Sequence, residues 1–181
     1  FWPGYLAVPK MELSGWVHFH AITGTLWMLM LIVQPLAIRH GKMILHRLIG
    51  KLSPLLMLLV MITFVGLSHA SLQGLTESTL GVGAYFFYIR AVLVAIFLMC
   101  YVLGFWNRHN PAVHARYMVC TGLSFIDPVM HRISHRLMQN DEFNYQLITF
   151  GLIWAILVAL IIAERKSTSG RKVFPIVLAA F

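Results

Sequence analysis

Tyr145–Ala163 reads YQLITFGLIWAILVALIIA and contains no Asp, Glu, Lys or Arg. About 20 mostly apolar residues are the length that a helix needs to cross the hydrocarbon core of a bilayer. Further segments of this length lie upstream, at residues 17–38, 48–70, 83–106 and 112–138. The sequence therefore predicts an all-α integral membrane helical bundle with five visible spans, in which residues 1–181 form a single transmembrane domain.

The segment at 112–138 differs from the others because its second half is polar. It contains Asp127, His131, Arg132, His135 and Arg136. Asp127-Pro128 is also a helix-start signal, so a second interpretation places residues 128–138 as an amphipathic helix on the outer surface. After the last span, Val173–Phe181 is apolar but too short to cross, and we expect it to begin a sixth span or to lie on the surface.

The composition excludes an ordinary soluble domain. Of the 181 residues, 59% are hydrophobic and 11% are charged, with a mean hydropathy of +0.78, whereas globular domains carry about 25% charged residues. The excess of 14 Lys and Arg over 6 Asp and Glu needs no nucleic acid, because membrane proteins concentrate basic residues in cytoplasmic loops. Cys100 and Cys120 lie inside apolar segments, and the sequence has no iron–sulfur spacing, phosphate loop or nucleophile elbow.

The basic residues alternate from one connection to the next. Residues 39–51 contain four, whereas residues 71–84 contain none and carry Glu77. Because Lys and Arg mark the cytoplasmic side, we expect Phe1 outside and the Lys172 end inside. The predicted location is a membrane, with the lipid bilayer as partner.

With this orientation, several ionisable residues fall near the outer face. Asp127, His131 and His135 are each four residues apart, which stacks them on one face of a helix. Arg90 and Asp127 are candidates for an ion pair, because each lies about 10 to 15 Å below the outer surface. A charged side chain inside a span costs about 2.5 to 3.5 kcal/mol, so this polar half-helix is expected to face the bundle interior.

Two kinds of cofactor fit the outer residues. A haem b would take one histidine from each of two facing helices, either His20 or His69 opposite His131 or His135, with Arg132 and Arg136 for its propionates. A single Zn, Cu or Fe ion would use His20, His69, His131 and His135, with Asp127 as a further ligand and Arg90 nearby. Both predict a membrane redox or metal-dependent protein, with a quinone or quinol as the natural partner.

Three other interpretations stay open. In the first, the outer histidines form a structural polar network with Asp127, while Arg132 and Arg136 extend to the lipid headgroups. In the second, the chain is a non-catalytic membrane subunit or scaffold, whose polar half-helix docks a partner chain. In the third, it is a small transporter that uses intramembrane Arg, Asp and His as a proton or substrate path.

A second group of histidines falls near the predicted inner face. This group comprises His40, His46, His109 and His114, with Arg47, Lys51 and Arg116 among them. Most lie at helix starts, where headgroup phosphates are the expected partners. His46 and His114 could pair as haem ligands on two facing helices. The rotation along the same two helices does not turn His69 and His135 towards each other as well, so two haems are not expected. We therefore expect one site, near the outer face.

Three motifs resemble the signatures of an uncharacterised bacterial family of multi-spanning membrane proteins. They are HAITG at 20–24, HRLIGK at 46–51 and HARYM at 114–118, which match H-x-x-x-G, H-R-x-x-G-K and H-x-R-x-M. The resemblance covers about residues 1–136 and implies a helical inner-membrane fold in which His20, His46 and His114 matter. Histidines near span ends are more distantly similar to the cytochrome b561 group, which implies electron transfer through bis-histidine haems.

Overall fold

A computed structural model describes residues 15–73, 76–137 and 142–181, and the side chains of 132, 134–137 and 142–144 lie outside that description. All regular structure in the described residues is helical. The elements are α1 (Gly15–Arg39), α2 (Met43–Gln73), α3 (Leu80–Trp106), α4 (Pro111–Thr121), a 3-10 turn (Leu123–Phe125), α5 (Ile126–Leu137), α6 (Glu142–Ala163) and α7 (Val173–Ala180).

Within the described ranges, four helices are long and apolar enough to cross a membrane. They are α1, α2, α3 and the part of α6 from Tyr145 to Ala163. These helices coincide with the predicted spans at 17–38, 48–70, 83–106 and 145–163. Large apolar side chains lie exposed along all four, such as Ile32, Val65, Tyr88 and Trp154. A surface of this kind is suited to lipid and not to water, so the chain is an all-helical membrane protein.

The segment predicted as one span at 112–138 is divided into two helices. α4 ends at Thr121, and α5 begins at Ile126 after the 3-10 turn. Gly122 (φ −69°, ψ −24°) and Ile126 (φ −67°, ψ −43°) both keep right-handed helical angles. The backbone therefore tightens at this point without leaving the helical region.

Pro128 explains the break. Proline has no N–H to donate to the carbonyl of the residue four positions earlier, here Ser124, and its ring clashes with that carbonyl. A 3-10 turn at this point relieves the clash, since it replaces the regular α-helical bonding pattern. The Ser124 hydroxyl donates a hydrogen bond to the Leu93 carbonyl of α3 at 3.1 Å, which ties the turn to the neighbouring helix.

The chain divides into two compact units, Phe1–Phe87 and Tyr88–Phe181, with the boundary inside α3. In the first unit, α1 and α2 pack as an antiparallel hairpin. Their connection contains Gly41 at φ 70°, a left-handed conformation that glycine adopts at low cost.

Polar contacts fix the register of this hairpin close to its turn. Gln34 on α1, with its amide oriented to satisfy both ends, donates to His46 Nδ1 at 2.5 Å and accepts from the Gly50 N–H at 3.1 Å. Farther from the turn, the Trp16 ring lies against Gly66 so closely that a Cβ atom at position 66 would overlap it. The two helices therefore approach closely at both ends.

The second unit has a continuous apolar core. Its buried residues are Ile96, Cys100, Tyr117, Cys120, Leu123, Ile153, Leu157, Val173, Phe174 and Val177. The last three belong to α7, so this short helix packs into the core of the unit. Gly104 allows α3 and α4 to approach, because a Cβ atom there would lie 3.2 Å from both Met118 Sδ and Tyr117 Cβ.

Candidate functional site

A buried polar cluster in the second unit is formed by α3, α5 and α6. Asp127, the second residue of α5, is only 7% exposed. The charge of Arg90 on α3 acts on the Asp127 carboxylate, and the Gln146 side chain on α6 lies within hydrogen-bonding reach of it. Among the described side chains, Arg90 makes no ion pair with Asp127 within 4.0 Å, so the two interact through charge at longer range.

The first turns of α6 carry the other members of the cluster. Tyr145, Gln146 and Thr149 are all buried. Thr149 Oγ1 donates to the Tyr145 carbonyl at 2.9 Å, and Gln146 Nε2 donates to the Tyr145 hydroxyl. The His131 ring on α5 packs against the Tyr145 ring, with centroids 5.0 Å apart and planes tilted by 51°. Tyr145 therefore links His131 to Gln146.

Two oxygen atoms in this cluster are buried without a hydrogen-bond partner in the described part of the chain, namely Asp127 Oδ1 and Gln146 Oε1. A carboxylate oxygen and an amide oxygen both accept hydrogen bonds, so they cannot satisfy each other. Leaving a buried acceptor unsatisfied costs about 1 to 3 kcal/mol. Each of these two oxygens can therefore accept a further hydrogen bond.

Three of the predicted site residues, Arg132, His135 and Arg136, have side chains outside the described residues. Their backbone belongs to α5, which is helical from Ile126 to Leu137. The backbone therefore supports the expected spacing of Asp127, His131 and His135 at successive turns. Among the described side chains, no three His, Cys, Asp or Glu residues come together as a metal site.

The remaining predicted ligands, His20 and His69, belong to the first unit. His20 is half-buried on α1, and its Nδ1 lies 3.1 Å from Thr63 Oγ1 on α2. His69 lies on α2 beyond Thr63 and is exposed. Arg90, Asp127 and His131 belong to the second unit.

His20 belongs to a polar contact between α1 and α2. Thr63 Oγ1 donates to the Val60 carbonyl at 3.0 Å and lies 3.2 Å from Thr23 Oγ1. Thr23 Oγ1 in turn donates to the carbonyls of Phe19 and His20 at 3.1 Å. The His20 imidazole is therefore held in place by the hydroxyl of Thr63.

Arg116 has protein partners, although headgroup phosphates were the predicted ones. Its Nε pairs with Glu164 Oε2 at the end of α6. Its Nη1 donates to the Ala112 carbonyl at 2.9 Å, and its Nη2 donates to Ser167 Oγ at 3.0 Å. The side chain is 12% exposed. Arg116 therefore joins the first turns of α4 to the connection before α7.

His46 and His114 also have protein partners within their own units. His114 Nδ1 lies 2.8 Å from the Gly104 carbonyl, which is among the last carbonyls of α3 and has no partner within the helix. His114 therefore caps α3, while Gln34 contacts His46 as described above. In the HARYM motif, His114, Arg116 and Met118 all hold α4 against neighbouring segments.

Tyr145, Gln146 and Thr149 were not among the site residues predicted from the sequence. The sequence feature that could have indicated them is a group of polar residues at the start of an otherwise apolar span. Tyr145, Gln146 and Thr149 occupy positions i, i+1 and i+4, which fall on one side of a helix. Glu164 was also overlooked, because nothing local connects it to Arg116.

Neither family models, nor curated proteins, nor solved structures gave any match to this chain. The family likeness of the three motifs therefore stays a prediction.

Proposed function

We propose that this chain is a membrane redox protein that binds one haem b or one transition-metal ion near the outer face, with a quinol as partner. The observation that carries the proposal is the cluster in which half-buried His131 lies one helical turn from buried Asp127, with the charge of half-buried Arg90 nearby. Ionisable groups within a membrane bundle are costly, and they are found where a membrane protein binds or moves something.

In the second unit, the residues that would hold the cofactor are His131 and His135 on α5. His20 and His69 of the first unit stay candidate ligands predicted from the sequence. Arg132 and Arg136 would neutralise haem propionates. The cofactor would supply one-electron transfer, and Arg90 and Asp127 would set the charge around it.

An optical spectrum tests this proposal. The full chain, purified in detergent, should give a reduced-minus-oxidised band set typical of haem b, or should contain a stoichiometric transition metal. His131→Ala and His135→Ala should each abolish that signal. The matched control is His109→Ala, because His109 is exposed and follows α3 at the predicted inner end. Absence of both signals from the wild-type protein would contradict the cofactor hypothesis.

A transporter is the second candidate, and the unsatisfied Asp127 oxygen favours it. A buried carboxylate with a nearby positive charge is a common arrangement along proton or substrate paths. If neither haem nor metal is found, this candidate predicts that Asp127→Asn abolishes flux in proteoliposomes. The scaffold alternative predicts instead that His131→Ala weakens assembly with a partner subunit and changes nothing else.

The proposed topology has five spans, counting 112–138, with the Phe1 end outside and the Lys172 end inside a bacterial inner membrane. It is supported by the basic connection 39–51 and by the helical angles retained through the break before Pro128. Cys100 and Cys120 are fully buried, so a maleimide should react little with these native cysteines and mainly with a cysteine introduced at the surface. An impermeant maleimide applied to intact cells should label Thr76→Cys but not Lys42→Cys, and the reverse pattern would overturn the orientation.

A further inference from the structure

The unsatisfied oxygens of the α5–α6 cluster define the chemistry of what it binds. Asp127 and Gln146 are 7% and 4% exposed, their side chains are neighbours, and each has one buried oxygen without a hydrogen-bond partner among the described residues. We infer that these two oxygens are the acceptor side of a binding site for the hydroxyl groups of a quinol head group. This inference rests on the proposed function because it takes the quinol partner from it. It adds that the site prefers the reduced form of this ligand, the quinol, over the oxidised form, the quinone.

The charge near the site favours a neutral donor over a cation. Arg90 already places a positive charge near the Asp127 carboxyl group, so an additional cation would meet repulsion from its guanidinium group. A hydroxyl group brings a proton donor without charge, and a hydrogen bond to a carboxylate is stronger than one between neutral groups. Water and a quinol both offer this chemistry, and they differ in whether an aromatic ring accompanies the hydroxyl.

The aromatic surroundings favour the ring-bearing ligand. The Tyr145 hydroxyl accepts from Gln146 Nε2, and the Tyr145 ring packs against His131, so the same cluster contains aromatic rings as well as acceptor oxygens. Aromatic rings in proteins prefer offset or edge-to-face neighbours, which adds about 0.5 to 1.5 kcal/mol beyond area burial. A dihydroxybenzene head group can therefore use both features of the cluster, its acceptors and its rings.

This arrangement should distinguish the reduced from the oxidised form of the ligand. A quinol donates hydrogen bonds through its hydroxyl groups, whereas a quinone presents only carbonyl acceptors. If a quinone bound here, its carbonyl oxygens and the two protein oxygens would all be acceptors, and none would gain a hydrogen bond. Buried polar groups left unpaired in this way discriminate between two ligands more strongly than a missing apolar contact does. We expect duroquinol to bind the wild-type chain at least about tenfold more tightly than duroquinone or duroquinol dimethyl ether.

The experiment measures the binding of these three compounds to the full chain in detergent by anaerobic equilibrium dialysis. Gln146→Leu removes one acceptor and should bring the affinity ratio close to one. Asp127→Asn introduces an amide donor and should shift the preference toward duroquinone. Thr25→Val is the matched control, because it removes a threonine hydroxyl that also donates to the carbonyl four residues earlier, at Ala21, but lies on α1 outside the cluster. The control should retain the wild-type ratio.

Three outcomes would overturn the inference: no binding of any of the three compounds, equal binding of all three to the wild-type chain, or an unchanged ratio in folded Gln146→Leu. Recording the haem spectrum and metal content of the same samples separates this inference from the proposed cofactor. A cofactor signal without quinol preference contradicts only the inference. Quinol preference without a cofactor contradicts only the cofactor proposal.

Discussion

Glu164→Ala is expected to lower the free energy of unfolding by about 2 kcal/mol, because it leaves the Arg116 guanidinium without its carboxylate. The Arg116 side chain is 12% exposed and that of Glu164 is 33% exposed. Removing one partner from a fully buried pair costs about 3 to 5 kcal/mol, and an exposed pair contributes about 0 to 1 kcal/mol. This half-buried pair should fall between those limits, since the Ala112 and Ser167 oxygens still accept from Arg116.

Denaturation of the purified protein in detergent measures this effect, with Glu77→Ala as the control. Glu77 is exposed in the connection before α3, and its loss should change stability by less than about 0.5 kcal/mol. Replacing both partners, as in Arg116→Met with Glu164→Leu, should cost less than Glu164→Ala alone, because no unpaired charge remains. Equal stability of the Glu164 and Glu77 variants would show that the ion pair contributes nothing.

The membrane helices were predictable because the signal for a span is local. A run such as Tyr145–Ala163 needs only its own composition to indicate a crossing helix. The break before α5 was also anticipated in part, since the effect of Pro128 on the carbonyl of Ser124 depends on residues four positions apart. What the sequence could not show is where the second helix starts, because the 3-10 turn and its bond to Leu93 depend on packing against α3.

The candidate site was less predictable because its partners are distant in the sequence. Arg90 and Asp127 could be matched by their depth in the membrane, since charge is visible in the sequence. Gln146 and Tyr145 could not be assigned, because an uncharged polar residue at the start of a span has many possible neighbours. The same reason applies to Arg116, whose basic character predicted a lipid headgroup while the fold supplies Glu164.

A residue that the sequence analysis did not single out, Gly170, controls the position of Arg116. Gly170 has φ 74°, and a Cβ atom there would overlap Arg116 Nη1 and approach the Ala112 carbonyl to 3.4 Å. Gly41 has nearly the same φ, 70°, with nothing within 4 Å of its Cβ position. The two glycines therefore separate the cost of a left-handed backbone from the cost of displacing Arg116.

Gly41→Ala should lower stability by about 1 to 2 kcal/mol, which is the cost of placing an L side chain in the left-handed region. Gly170→Ala should lower it by about 3 to 4 kcal/mol, because the methyl group also moves Arg116 away from Glu164. In the wild-type background, Gly170→Ala should therefore cost more stability than Gly41→Ala. This difference between the two substitutions should largely disappear in a Glu164→Ala background, since the ion pair is then already lost. An excess that persists in that background would mean that the added methyl group disturbs the connection before α7 directly, without acting through the Arg116–Glu164 pair.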